Sequence, residues 1–286
     1  MDAMLSLIPQ ALRISVPYAL AAVGGSLCER AGVVNLALEG MLLSGAFAAA
    51  VACHFAGAGA GLLAAVAAGV GVAALHALCT IRFRADPIVS GVAINLLAAG
   101  GTRFLLTTLF SSATNSPRID GLDVGAWRGV VVMLLLAGMA HLAMSRTAFG
   151  LRLRAVGEHP EAADALGVSV RWTRVWAVLL SGALASLGGA WLAFDQHKFS
   201  DGMSAGRGYI AIAAMILGRW TPLGALFASL MFGTAEAAQI ALQTAGVGLP
   251  GPLVQAIPYV LTMVALCGII GRTRAPLALG RPFPQD

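Results

Sequence analysis

Gly59-Ala60-Gly61-Leu62-Leu63-Ala64-Ala65-Val66-Ala67-Ala68-Gly69-Val70-Gly71-Val72-Ala73-Ala74-Leu75-His76-Ala77-Leu78-Cys79-Thr80-Ile81 runs for 23 residues without an Asp, Glu, Lys or Arg and closes on Arg82-Phe83-Arg84. An α-helix rises about 1.5 Å per residue, so about 20 such residues cross the roughly 30 Å of bilayer hydrocarbon with every backbone group bonded inside the helix. The stretch therefore reads as a membrane span with an arginine anchor. Seven further stretches repeat the pattern, at about Leu7 to Leu27, Val33 to His54, Ile88 to Phe110, Gly129 to Met144, Trp172 to Phe194, Pro222 to Leu242 and Leu253 to Ile270. A ninth apolar segment, Gly208 to Leu217, is too short to cross and ends at Gly218-Arg219-Trp220-Thr221-Pro222. That segment reads as a helix broken within the membrane, with Gly218, Arg219, Trp220 and Pro222 as candidate gate residues.

Composition agrees. The chain is 58% hydrophobic and 11% charged, with a mean hydropathy of +0.84, against about 25% charged residues in soluble domains. The expectation is an all-α, polytopic helical bundle of eight to nine membrane segments forming one domain over residues 1–271, with residues 272–286 as a cytoplasmic tail. Of the 18 basic residues only Lys198 is not arginine. Most lie in short loops and at span ends, which speaks of orientation in a bilayer and not of nucleic acid. Arg82, Arg84, Arg146, Arg152, Arg154, Arg171, Arg174, Arg272, Arg274 and Arg281 fall on one side, against Arg118, Arg128, Lys198 and Arg207 on the other. Ten against four makes the first side, with the C-terminus, cytoplasmic. Nine crossings would put the N-terminus outside; a re-entrant segment at 29–47 would put it inside. Residues 1–10 lack the basic start of a cleavable signal.

Polar residues inside such spans are costly unless they pair or face water. Glu29, Arg30, Asn35 and Glu39 crowd one stretch between and into the first two spans, with Asn35 and Glu39 four apart on the face of a helix that starts at Val33. They form either a structural clasp between helices or part of a polar pathway. Glu236, Gln239 and Gln243 share one stripe of a later helix, facing a polar conduit or a partner helix. Asn95 in the fourth span has the same two readings, while Arg103 there reaches towards the interface. No metal site is expected: His54, His76 and His141 are scattered and read as packed or interfacial, and Cys28, Cys53, Cys79 and Cys267 read as small packing residues. The absence of HExxH and Walker A patterns points to no catalytic or cofactor-binding residues, so ATP hydrolysis would need another polypeptide.

Between spans five and six, residues 146–171 form a basic loop. Glu158, then Pro160 as first helical residue, Glu161 in the first turn, Ala162 and Asp164, and Leu166 before Gly167 as stop define a helix of about two turns. A short helix of this kind suits docking into a groove of a soluble partner.

Glu161-Ala162-Ala163-Asp164-Ala165-Leu166-Gly167-Val168 resembles the coupling loop of ABC importer permeases of the sugar, nucleoside and branched-chain amino acid group. Three further segments match that group in order: ERAGVVNLALEGMLLSG (29–45), DPIVSGVAINLL (86–97) and SAGRGYIAIAAMILGRWTP (204–222). The likeness covers residues 20–270 and is strongest to nucleoside-type permeases. It implies a non-enzymatic permease subunit of the inner (plasma) membrane, embedded in lipid. Its implied partners are cytoplasmic ATP-binding subunits, a second permease subunit as homodimer or heterodimer, and an extracytoplasmic substrate-binding protein. With only 7% aromatic residues, tight nucleobase stacking within this chain is not expected, and selectivity falls to the binding protein. The alternative is an ion-coupled secondary transporter with Glu39 or Glu236 as proton site, working without an ATPase.

Overall fold

A computed structural model describes residues 2–121, 126–244, 256, 260, 263 and 274–283. Among the described residues there are helices and one isolated β-bridge, Asn115 to Ser200, and no strand. The helices are α1 (Asp2–Arg30), α2 (Leu38–Ala56), α3 (Ala58–Ala77, prolonged by a π-helical turn Leu78–Arg82), α4 (Pro87–Phe110), α5 (Ala126–Arg146), α6 (Ala148–Glu158), α7 (Pro160–Ala165), α8 (Val170–Asp195), α9 (Arg207–Leu217) and α10 (Pro222–Thr244). Seven are long and apolar enough to cross a membrane: Leu7–Arg30, Leu38–Ala56, Ala58–Arg82, Pro87–Phe110, Trp127–Arg146, Val170–Asp195 and Pro222–Thr244. The apolar stretch Leu253 to Ile270 lies outside the described residues.

Close backbone approach builds the centre. A Cβ on Gly189 would lie 2.0 Å from the Leu42 carbonyl, one on Gly45 2.5 Å from Ser186 Cα, and one on Gly69 2.4 Å from the Gly182 carbonyl. Glycine at these positions lets α2 and α3 press directly onto α8, as small residues do where helices cannot rely on a hydrophobic drive to associate. On the other side of α8, Gly24 of α1 meets Ser181 and Gly188 meets Pro17. The outer faces of α3, α4 and α5 stay apolar and uncovered, with Leu63, Leu96, Phe104 and Leu135 exposed, as lipid contact demands.

The ion pairs fix direction. Arg30, ending α1, meets Glu158 at the end of α6 at 3.3 Å, whereas Arg13 in the N-terminal half of α1 pairs with Asp195 at the end of α8. The N-terminal part of α1 thus lies at the end of the bundle opposite α6 and α7. Residues 274–283 share the α6–α7 end: the Ala278 N–H donates to Gly157 and the Gly280 N–H donates to Gly32, both at 2.9 Å. At the opposite end, 114–119 and 197–201 are laced together by Ser116 N–H to Phe199, Ile119 N–H to His197 and Asp201 N–H to Thr114.

One boundary differs from expectation. The second span begins at Leu38, not at Val33, and residues 33–37 are not helical. Asn35 therefore lies in the break and shares no helix face with Glu39. The cause is Gly32, which at φ +93° ends α1 in a Schellman motif: its N–H donates to Glu29 and that of Val33 to Cys28.

Candidate functional site

Non-helical backbone inside a membrane protein needs a partner for each N–H and C=O. The return segment after Gly32 shows where they come from. The Val34 carbonyl meets Nε2 of His76 at 3.0 Å, and Nδ1 of the same ring meets the Ser90 hydroxyl at 3.0 Å. In the neutral ring Nε2–H donates to the carbonyl and Nδ1 accepts from serine. Asn95 donates from Nδ2 to the Leu36 carbonyl at 2.9 Å and accepts the Gly40 N–H on Oδ1 at 2.8 Å. Asn35 accepts the Ala37 N–H and donates to Ser181 on α8 at 2.9 Å. Glu29, 4% exposed, accepts the Asn35 N–H at 3.4 Å. Three candidate residues, Glu29, Asn35 and Asn95, thus converge on one break.

Glu39, in the first turn of α2, accepts from the N–H groups of Gly206 (2.8 Å, Oε1) and Gly208 (2.6 Å, Oε2). These are donors at the start of α9, which the sequence leaves without a side-chain cap of its own because its N-cap is Gly206. A carboxylate at a helix N-terminus satisfies orphan donors and complements the helix dipole. Gly208 is required by the approach, since a Cβ there would lie 2.4 Å from the Glu39 nitrogen. Tyr209, one residue on, meets Asn95 Nδ2 at 3.0 Å.

The second break follows α9. Its end is again a Schellman motif, with Arg219 N–H donating to Ile216 and Trp220 N–H to Met215, but here the left-handed residues are Arg219 (φ +58°) and Trp220 (φ +54°). Glycine is spent one position earlier: a Cβ on Gly218 would sit 2.2 Å from the Ala225 nitrogen as α10 folds back. The strained turn is held from α1. Trp220 Nε1 donates to Glu29 Oε2 at 2.6 Å and Arg30 Nε to the Trp220 carbonyl at 3.1 Å. Pro222 opens α10 and is buried. Glu29 and Arg30 thus meet the candidate gate residue Trp220 directly, which no sequence spacing indicated.

A separate polar cluster joins α1, α9 and α10. Glu236 on α10 pairs with Arg207 at the start of α9 at 2.8 Å and accepts from the Tyr18 hydroxyl of α1, while the Arg207 guanidinium lies 6.0 Å from the Tyr18 ring centre. Gln239 is half-buried one turn on, and Gln243 is exposed. Arg103 reaches Asp201 at 3.7 Å. Among the described residues no group of His, Cys, Asp or Glu is arranged to hold a metal ion.

At the α6–α7 end, α7 opens at Pro160 and closes at Gly167 (φ +81°) with the bonds Gly167 N–H to Asp164 and Val168 N–H to Ala163. Only Ala163 of this helix is buried, packed with Val156, Val170 and Phe283. Glu161, Ala162, Asp164 and Gly167 face outward, and Leu166 is 85% exposed. Glu158 turns inward instead, to Arg30 and the Leu277 N–H.

A multi-span bundle with tightly hydrogen-bonded non-helical returns between its helices, and a short exposed helix at one end, fits a membrane transport subunit. The chain matches the family described as "Branched-chain amino acid transport system / permease component" over residues 7–266 and belongs to that family. It is 37% identical to the guanosine ABC transporter permease protein NupQ of Bacillus subtilis (strain 168), over 97% of this chain and 96% of the relative. To the nucleoside ABC transporter permease protein NupC of Lactococcus lactis subsp. cremoris (strain MG1363) it is 35% identical, over 96% and 95%. No solved structure matches. The chain is therefore a multi-pass permease subunit of an ABC importer and not itself an enzyme; such permeases work with separate ATP-binding subunits and a substrate-binding protein.

Proposed function

We propose that the chain forms the translocation pathway for nucleosides, beside a second permease subunit. The observation that carries this is the near-full-length likeness to permeases named for guanosine and nucleosides. Residues 1–271 act as one permease domain of eight to nine segments, in which α9 is the re-entrant or broken element and the stretch 253–270 a further crossing. The α6–α7 end and the tail 272–286 face the cytoplasm, in keeping with Arg84, Arg174 and Arg281 gathering there.

Glu161, Ala162, Asp164, Leu166 and Gly167 form the surface that the ATP-binding subunit grips, with Pro160 starting that helix. Glu158 passes its motion to Arg30 and so to the break at Trp220. Glu29, Asn35, Glu39 and Asn95 act as the clasp that keeps both breaks in register. Glu236, with Arg207 and Tyr18, borders the pathway together with Gln239 and Gln243. Gly218, Arg219, Trp220 and Pro222 form the gate, a reading supported by two left-handed non-glycine residues of the kind that gather at moving sites.

Uptake into proteoliposomes tests the proposal. With ATP, both permeases, the ATPase and the binding protein, labelled guanosine should accumulate, while ribose and leucine should not. Accumulation of leucine or ribose alone overturns the cargo. Proton-driven uptake by this chain alone overturns the mechanism.

A further inference from the structure

A cavity of about 240 Å3 opens at the α6–α7 end of the bundle, lined among others by Gly32, Thr80, Arg84, Asp86, Arg174 and Arg281. Its lining brings together the end of α1, the π-helical turn after α3, the start of α4, the base of α8 and the tail. Three arginines meet there from three separate parts of the chain, against one aspartate. Asp86 Oδ1 accepts the N–H groups of Ile88 and Val89 as the cap of α4.

Arg174 decides the chemistry. It is 4% exposed, and two of its nitrogens are fixed by backbone carbonyls: Nε donates to Ala31 at 3.2 Å and Nη1 to Arg281 at 2.9 Å. The third, Nη2, is buried and meets no acceptor among the described residues. A guanidinium pinned on two sides cannot swing away to satisfy the third nitrogen, and a buried charged donor without an acceptor is costly. A Cβ on Gly32 would lie 3.0 Å from Nη2 and 3.2 Å from the Ala278 carbonyl, so only glycine lets the chain pass this close to the guanidinium, and an anion entering the cavity would reach Nη2 by a small displacement of these neighbours.

The depth of the cavity indicates what fills it. Gly32 follows the span Leu7–Arg30, Thr80 lies in the last turn of Ala58–Arg82, and Arg174 is near the start of Val170–Asp195. These are span ends, where lipid headgroups lie. Arginine forks match phosphate oxygens in pairs, and basic pockets between helices at the cytoplasmic face take anionic headgroups.

We infer that this cavity binds one phosphate group, carried by an anionic phospholipid or by a free phosphate compound, and that the bound anion ties α8, the α3–α4 turn and the tail together. The purified permease complex, stripped of lipid in neutral detergent, would be titrated with phosphatidylglycerol, phosphatidylcholine and inorganic phosphate, with bound molecules counted by native mass spectrometry. One phosphatidylglycerol per copy of this chain is expected, with little phosphatidylcholine. Arg281→Gln, which keeps the backbone carbonyl that Arg174 uses, should weaken binding about fivefold. Arg152→Gln, an exposed arginine outside the cavity, should leave it unchanged.

Arg174→Gln should abolish binding; because it also loses two internal bonds, Arg281→Gln is the deciding variant if the first fails to fold. Competition by inorganic phosphate identifies a free phosphate compound as the ligand, and its failure identifies the lipid; either outcome supports the site. Equal binding of both lipids, binding unaffected by Arg281→Gln, or no saturable adduct overturns it.

Discussion

Glu39→Gln separates a structural carboxylate from a proton carrier. The wild-type side chain accepts two backbone N–H groups, from Gly206 and Gly208, at the start of α9. Glutamine keeps one acceptor oxygen but turns an NH2 group towards the other donor, so one bond is lost outright and the survivor loses its charge. Hydrogen bonds to a charged group contribute about 1.5–3 kcal/mol, and a carboxylate at a helix N-terminus adds about 0.3–1 kcal/mol. The expected loss is about 3 kcal/mol of local stability. Amide exchange at Gly206 and Gly208 in the detergent-purified complex should accelerate about a hundredfold, since about 1.4 kcal/mol is a factor of ten. Transport should remain ATP-driven with reduced turnover. Exchange at those amides within threefold of wild type would refute the capping argument, and loss of a proton-driven flux would refute the importer reading with it.

Three other substitutions probe separate links. Asn95→Leu removes the partner of both the Gly40 N–H and the Leu36 carbonyl; two unpaired buried groups should cost about 3 kcal/mol in equilibrium unfolding, and a loss under about 1 kcal/mol would show that the break finds other partners. Leu166→Asp alters a side chain that is 85% exposed, so unfolding should stay within about 0.5 kcal/mol of wild type while substrate-stimulated ATPase activity falls; undiminished stimulation removes α7 from the ATPase contact. Gly189→Leu drives carbon into the Leu42 carbonyl, and detergent-stable, monodisperse protein should disappear; normal yield would mean α2 and α8 can separate.

How much of this was visible in the sequence depends on range. The apolar runs and their arginine flanks mark all seven described spans, because crossing a bilayer imposes a length that no tertiary contact is needed to reveal. Pro160 and Gly167 mark α7 for the same local reason, as first-turn proline and left-handed stop. The start of α2 was misplaced by five residues because Val33 and Val34 are as apolar as any helix residue; only the left-handed Gly32 and the distant acceptors and donors of His76 and Asn95 make them non-helical. The pairing of Glu29 with Trp220, or of Glu39 with Gly206 and Gly208, joins positions about 170 to 190 residues apart, and no periodicity carries that. Arg174 shows the same limit: its place in the basic-side count was visible, its burial was not.

The two breaks also explain why so many polar residues sit in so apolar a chain. Each helix end leaves donors and acceptors that lipid cannot satisfy, and α1, α2, α9 and α10 contribute four such ends within one bundle. Glu29, Asn35, Glu39, His76 and Asn95 each bond at least one backbone group at those ends or in the return segment between them. Their hydrogen-bonding capacity is largely taken by the protein itself, which leaves little of it for cargo. On the pathway proposed above, a solute would meet, among the described residues, the Arg207–Glu236–Tyr18 cluster with Gln239 and Gln243, a surface suited to release and poorly suited to retention. On that proposal recognition of the cargo falls chiefly to the substrate-binding protein with which such permeases work, and this chain supplies passage.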